Sequence, residues 1–182
     1  TGVQTCALPI CELAEGWVEY DWGMRSGGRG RHRNIDLPVW DGSDPAALAG
    51  KRLMLYREQG VGDEMLFASC YEDAIATADH VVIECEPRLT PLMRRSFPQA
   101  TVRDQTVLPD GTETVDPDFD LVAPAGNLCR GFRSSYAEFP ARRAFLVPDA
   151  EVTEQWLATF RERGEGLRVG ISWRSRVKHH ER

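Results

Sequence analysis

The stretch Arg52-Leu53-Met54-Leu55-Tyr56-Arg57-Glu58-Gln59-Gly60-Val61-Gly62-Asp63-Glu64-Met65-Leu66-Phe67 decides the fold. Its first half is an apolar run of strand type; from about Asp63 the apolar residues take up helical spacing. A strand that turns through two glycines into a helix opens a doubly wound α/β domain, and ligand sites in such sheets gather at the carboxyl ends of the strands. Gly60 and Gly62 are expected to supply the positive φ or the close backbone approach that a tight turn needs. Asp63 then stands where chemistry usually happens.

That carboxylate also has a purely structural reading, because an acid in the first helical turn is favoured by the exposed N–H groups and the helix dipole. A dinucleotide site fits less well. Gly60 and Gly62 form Gly-x-Gly, and Glu84 and Glu86 stand near the end of the next strand, but the third glycine of the fingerprint falls near Leu66 and is absent.

Outward from this turn the pattern is regular. Strands are predicted at Arg52 to Arg57, His80 to Glu84, Thr101 to Arg103, Phe119 to Val122 and Leu167 to Trp173. Helices are predicted from Asp63 to Ala78, from Pro87 to Phe97 and onward from Asp149, a good N-cap. Asn127 to Pro140 reads as irregular. Strands alternating with helices imply a parallel sheet. Ahead of it, Leu13, Trp17, Tyr20 and Met24 mark one amphipathic helix over Glu12 to Met24, which needs a surface to pack on because an isolated helix of that length is marginal. Ser26 to Arg33 is rich in glycine and arginine. It reads as a linker rather than a single-strand nucleic-acid site, since it has no interleaved aromatics. Pro38-Val39-Trp40-Asp41-Gly42 reads as a turn with a packed indole.

With 182 residues, 42% hydrophobic and 27% charged, the composition is that of a globular domain with a core of its own. A net charge of −6 argues against broad binding to nucleic acid or to an anionic membrane surface, and no apolar run reaches membrane-spanning length. The five cysteines (Cys6, Cys11, Cys70, Cys85, Cys129) never form Cys-x-x-Cys, so neither a disulfide framework nor a zinc site is expected; buried thiols in a reducing cytoplasm are. His80 reads as a strand-entry residue. His179 and His180 follow a basic run.

Both ends lead us to expect a piece of a longer polypeptide. Thr1 to Ile10 match the translation of a common short-read sequencing adapter and are set aside as an artefact. At the other end, the alternating Leu167, Val169, Ile171 and Trp173 need neighbouring strands, and only nine residues follow Trp173.

Trp17 with Tyr20-Asp21-Trp22, Pro38 to Gly42, Gly50-Lys51-Arg52-Leu53-Met54-Leu55, Glu58 to Ala68 and Val169-Gly170-Ile171-Ser172-Trp173 occur in that order. This order resembles the bacterial tetratricopeptide-repeat proteins whose carboxyl half is a GT-B glycosyltransferase-like domain, similar to heptosyltransferases and O-linked N-acetylglucosamine transferases. The resemblance runs from Cys11 to Arg182 and is sharpest at Glu-Gln-Gly-x-Gly-Asp. It implies a terminal repeat helix and linker over 11–50, a Rossmann-like acceptor-side domain over 51–164 as the amino-terminal half of a GT-B fold, and the start of a donor domain over 165–182. It implies transfer of a sugar from a nucleotide-diphosphate donor to a hydroxyl of a protein or glycan acceptor, without a bound metal or other cofactor. Asp63 would be the base, Gln59, Gly60 and Gly62 would meet the acceptor, and Arg174, Arg176 and Lys178 would meet the donor phosphates. Two alternatives stay open: a repeat scaffold with a degenerate transferase-like domain, and an unrelated nucleotide-binding enzyme.

Overall fold

Leu53, Met54, Leu55 and Tyr56 are all buried, as are Val81, Val82 and Ile83, because both faces of the sheet they form are covered. The computed structural model describes residues 12–27, 33, 35–105, 118–142 and 144–171. Four strands, β1 (Arg52–Tyr56), β2 (His80–Cys85), β3 (Thr101–Asp104) and β4 (Leu121–Pro124), form one sheet in the order β3-β2-β1-β4. Every pairing is parallel, with Leu53 opposite both Val81 and Leu121. The chain is thus α/β with a four-stranded parallel sheet, as the alternation of elements predicts. The order turns back between β1 and β4, which places the switch point of the sheet beside the exit of β1.

Strand period 2 sends Leu53 and Leu55 to one face and Met54 and Tyr56 to the other. The first face packs against the helices: α1 (Leu13–Arg25), α2 (Val61–Phe67), α3 (Tyr71–Thr77), α4 (Thr90–Ser96) and α5 (Leu128–Phe132). Tyr71, Met93, Phe97 and Leu128 fill the space between. The second face is covered by Ile35, Leu37 and Phe119. Its buried Glu84 accepts from Arg33, and from Arg103 Nε at 2.8 Å; Arg103 also reaches Asp118 Oδ2 at 3.0 Å. Val39 bridges Val122, with Trp40 N–H donating to Val122 O at 2.8 Å and Val122 N–H donating to Pro38 O at 3.0 Å, so a short extended segment lies beside β4.

The amphipathic first helix docks on this domain. The Trp17 indole N–H donates to Arg133 O at 2.8 Å, Tyr20 packs on Phe67, and Met24 is buried.

The structure corrects several boundaries. The predicted single helix from Asp63 to Ala78 starts at Val61 and is broken by a 3-10 turn, Ala68–Cys70. Ser69 O there accepts from Arg133 Nη2 at 2.9 Å and Arg142 Nη2 at 2.7 Å, two donors that draw the carbonyl out of the helical ladder. Pro87 lies in a turn ahead of α4, whose early proline is Pro91. The segment Asn127 to Pro140 holds α5 and the 3-10 turn Tyr136–Glu138, helical pieces too short for a period to show.

The chain divides into two compact units, Thr1–Pro148 and Asp149–Arg182. The second contains α6 (Ala150–Glu162), started by Asp149, whose carboxylate accepts from Val152 N–H at 3.1 Å. The described part of the predicted last strand, Leu167 to Ile171, has no ladder partner among the described residues and is 93% exposed at Leu167; a strand is held by its neighbours' hydrogen bonds. Ser172 and Trp173 lie outside the described residues.

Candidate functional site

An open cleft of about 530 Å³ lies at the carboxyl ends of β1, β2 and β3, lined by Arg57, Glu58, Gln59, Glu86, Pro87 and Gln105. These residues directly follow the last residues of three parallel strands, so the topology brings them together although they span nearly fifty positions. Of the predicted site residues, Gln59 is in this lining. Gly60, Gly62 and Asp63 are not; they form the start of α2 beside Gln59 in sequence.

The glycines behave differently from expectation. Gly60 has φ −82°, and Gly62 is not among the glycines with positive φ. A Cβ on Gly62 would meet nothing within 4 Å, and one on Gly60 would meet only Asp63 Oδ2 at 3.5 Å. Neither the backbone conformation nor the packing demands glycine here. What the two residues do is leave the backbone bare where β1 gives way to α2.

Asp63 takes the helix-start position of its structural reading. Its Oδ2 accepts from Gly60 N–H at 3.1 Å, while Asp63 N–H and Glu64 N–H both donate to Gly60 O. Its second oxygen takes no hydrogen bond among the described residues.

Gln59 is held from outside the loop. Its Nε2 donates to Tyr20 Oη at 2.9 Å, so α1 fixes one wall of the cleft. Glu58 closes the switch point: its Oε1 accepts from Gly126 N–H, just past β4, at 3.0 Å.

Glu64, which the sequence reading passed over for Asp63, anchors the floor. It is 2% exposed; Oε2 accepts from Glu86 N–H at 2.9 Å, and Oε1 lies 3.3 Å from Arg57 Nε. Burial pushes the Glu64 carboxyl above its ordinary range, against the pull of Glu86 N–H and Arg57. Arg57 continues to Glu86, which also accepts from Arg88 Nε at 2.9 Å. Those hydrogen bonds from Arg88 and Arg57 hold Glu86 below the usual carboxylate range. A signal for Glu64 was present: it shares a helical phase with Phe67, Ala68 and Tyr71, all buried. An acid in an apolar stripe marks a paired group.

His80 is a strand-entry residue, its Nε2 within 2.9 Å of Thr101 Oγ1. Arg174, Arg176 and Lys178 lie outside the described residues. Among the described residues no cluster of three or more His, Cys, Asp or Glu could hold a metal ion, and no helix is long and apolar enough to cross a membrane.

Comparison with known proteins adds one relationship. The chain is similar to Protein FlbA of Caulobacter vibrioides. The two are 33% identical over 192 aligned positions, which take in 98% of this chain and 31% of FlbA. The chain therefore spans about a third of the length of the curated relative it matches. No protein-family model matches the chain, and no solved structure does.

Proposed function

We propose that this chain is the acceptor-side part of a bacterial, cytoplasmic, repeat-linked glycosyltransferase, in which α1 is the last helix of the repeat array and the four-stranded sheet is the amino-terminal half of a GT-B fold. The reaction is transfer of a sugar from a nucleotide-diphosphate donor to a hydroxyl of a protein or glycan acceptor. The observation that carries this reading is the strand-exit cleft, where two carboxylates, two primary amides and one guanidinium surround an open volume. Closely spaced groups that both donate and accept suit a polyhydroxylated ligand. The bare backbone at Gly60 and Gly62 widens the approach. The second carboxylate oxygen of Asp63 takes the acceptor proton as the hydroxyl oxygen attacks the sugar carbon and the nucleoside diphosphate leaves. Donor binding falls to residues carboxyl-terminal to the sheet.

One observation favours a non-catalytic repeat scaffold instead: the bond from Gly60 N–H to Asp63 explains that carboxylate without any chemistry. Incubating the full-length protein with a panel of nucleotide sugars and measuring nucleoside-diphosphate release separates the two readings. Release that depends on Asp63 supports the transferase. Intact folding without release across the panel supports the scaffold.

A further inference from the structure

Two buried cysteines outside the cleft, Cys70 and Cys129, have their sulfurs 3.8 Å apart. Cys70 closes the 3-10 turn between α2 and α3, and Cys129 lies in α5, so the pair joins segments 59 positions apart in sequence. Both are free thiols, 0% and 5% exposed. The Ser69 hydroxyl lies 3.9 Å from Cys70 Sγ.

A cation stands nearby. Arg133 is 2% exposed, and its Nη2 donates to Ser69 O at 2.9 Å and to Asp73 Oδ2 at 2.6 Å. Thiolates form where hydrogen bonds and positive charge stabilise them. The hydrogen bond with Cys129 and the charge of Arg133 hold the Cys70 thiol below its ordinary range, while the same hydrogen bond and burial push Cys129 up. Arg133 is anchored on the Ser69 carbonyl and the Ser69 hydroxyl faces Cys70 Sγ, so the polar and cationic groups stand on the Cys70 side of the pair, which assigns Cys70 as the attacking sulfur and Cys129 as its neighbour. Cys85 is a contrast: also buried, it has Thr90 Oγ1 at 3.4 Å and Arg103 O at 3.8 Å as neighbours, and burial raises its thiol.

We propose that Cys70 and Cys129 form a peroxide-responsive dithiol site that closes reversibly to a disulfide. Hydrogen peroxide is the oxidant. The Cys70 thiolate attacks one peroxide oxygen, the O–O bond breaks, and Cys70 sulfenic acid and hydroxide result. The Cys129 sulfur then displaces the sulfenic oxygen, which leaves as water with the Cys129 proton. In sum two thiols and one peroxide give one disulfide and two waters, and the two electrons pass to peroxide. The sulfurs must close by roughly 1.8 Å to reach the ~2.05 Å of the bond. Peroxide enters when α5 opens locally, so the reaction is slow relative to an exposed thiol. The product ties the α2–α3 joint to α5, whose entry at Gly126 is already held by Glu58.

The test treats the reduced 182-residue chain with hydrogen peroxide at neutral pH, then blocks free thiols by alkylation. Digestion with trypsin and a glutamate-specific protease separates Cys70 from Cys85. The expected result is an intramolecular Cys70–Cys129 crosslink in the folded monomer, reversed by dithiothreitol, with a raised melting temperature and Cys85 still alkylated. In Cys129→Ser, the crosslink disappears and dimedone labels Cys70 as its sulfenic acid. The proposal is overturned by the absence of this crosslink in the native wild-type chain, by its formation only in urea, or by equal yields of crosslinks to Cys6, Cys11 or Cys85. The wild-type peptide map decides the matter even if the variant does not fold.

Discussion

The Gln59 side-chain amide donates to the Tyr20 phenol oxygen at 2.9 Å, so a residue of the strand-exit cleft is held by a helix that precedes the sheet by some thirty residues. Tyr20→Phe keeps the ring contacts with Trp17 and Phe67 and removes this acceptor. The expected cost is about 0.5 to 1.5 kcal/mol, the usual net worth of one such bond. Hydrogen exchange should quicken in α1 before it does in β1. Unchanged exchange in α1 would show that the Trp17 indole bond, the ring contacts and the buried Met24 hold the helix without it.

Two glycines should respond in opposite ways. Gly42 has φ +82°, and a Cβ there would lie 2.2 Å from Asn127 O, so Gly42→Ala combines backbone strain with a collision against backbone. A loss of about 2 to 5 kcal/mol is expected. Gly62→Ala, at the second residue of α2 with open space around it, should be neutral or stabilising by up to ~1 kcal/mol. Thermal melts of the two variants check both, and a large loss at Gly62 would mean that the turn is tighter than its geometry shows.

Asp120 and Glu64 should give stability opposite dependences on pH. Asp120 is pulled from 3.8 down to about 2 by hydrogen bonds from the Arg52 side chain and backbone. A depressed acid contributes stability that is full above its unfolded value and lost as pH falls, here between roughly pH 4 and 2. Glu64 is raised above 4.5, so the folded chain binds the proton more tightly and its contribution is lost as pH rises through that raised value. Melting temperatures of Asp120→Asn and Glu64→Gln across pH should flatten the acid limb and the limb above 4.5 respectively. A slope that survives in either variant assigns it to another group.

Asp63→Asn retains an oxygen acceptor for Gly60 N–H and loses the charge. Folding should change by at most about 1 kcal/mol, the scale of a charge at a helix start. Transfer by the full-length protein should fall by about 100-fold or more. Equal turnover would leave Asp63 as a helix cap only.

Much of the sheet was legible because Leu53, Val81 and their neighbours form short apolar runs bounded by turn residues, the pattern of a strand buried on both faces. The break at Ser69 was not, because the groups that take its carbonyl, Arg133 and Arg142, lie more than sixty positions away. Gly42 announced a turn but not its approach to Asn127, a distance between segments that no local pattern encodes. At the site, Gln59 and the strand exit were readable from the turn. Glu58, Glu86 and Gln105 became a cleft only through the order of the strands, and Glu64 was hidden beside a carboxylate that looked more exposed to chemistry. Leu167, Val169 and Ile171 show the limit of alternation: the pattern is there, and the ladder is not among the described residues.

The segment through Val39 also decides where the sheet can grow. Pro38 and Trp40 occupy the outer hydrogen-bonding groups of Val122, so the β4 margin is already taken by the chain's own backbone. Among the described residues the other margin, β3, carries no further strand. Among the described residues, the margin left for a strand from another molecule is β3, four residues long and bearing Arg103 and Asp104. A strand docking there meets Asp104 and Arg103, the latter already paired with Glu84 and Asp118, so the charges along this margin oppose the stacking of copies.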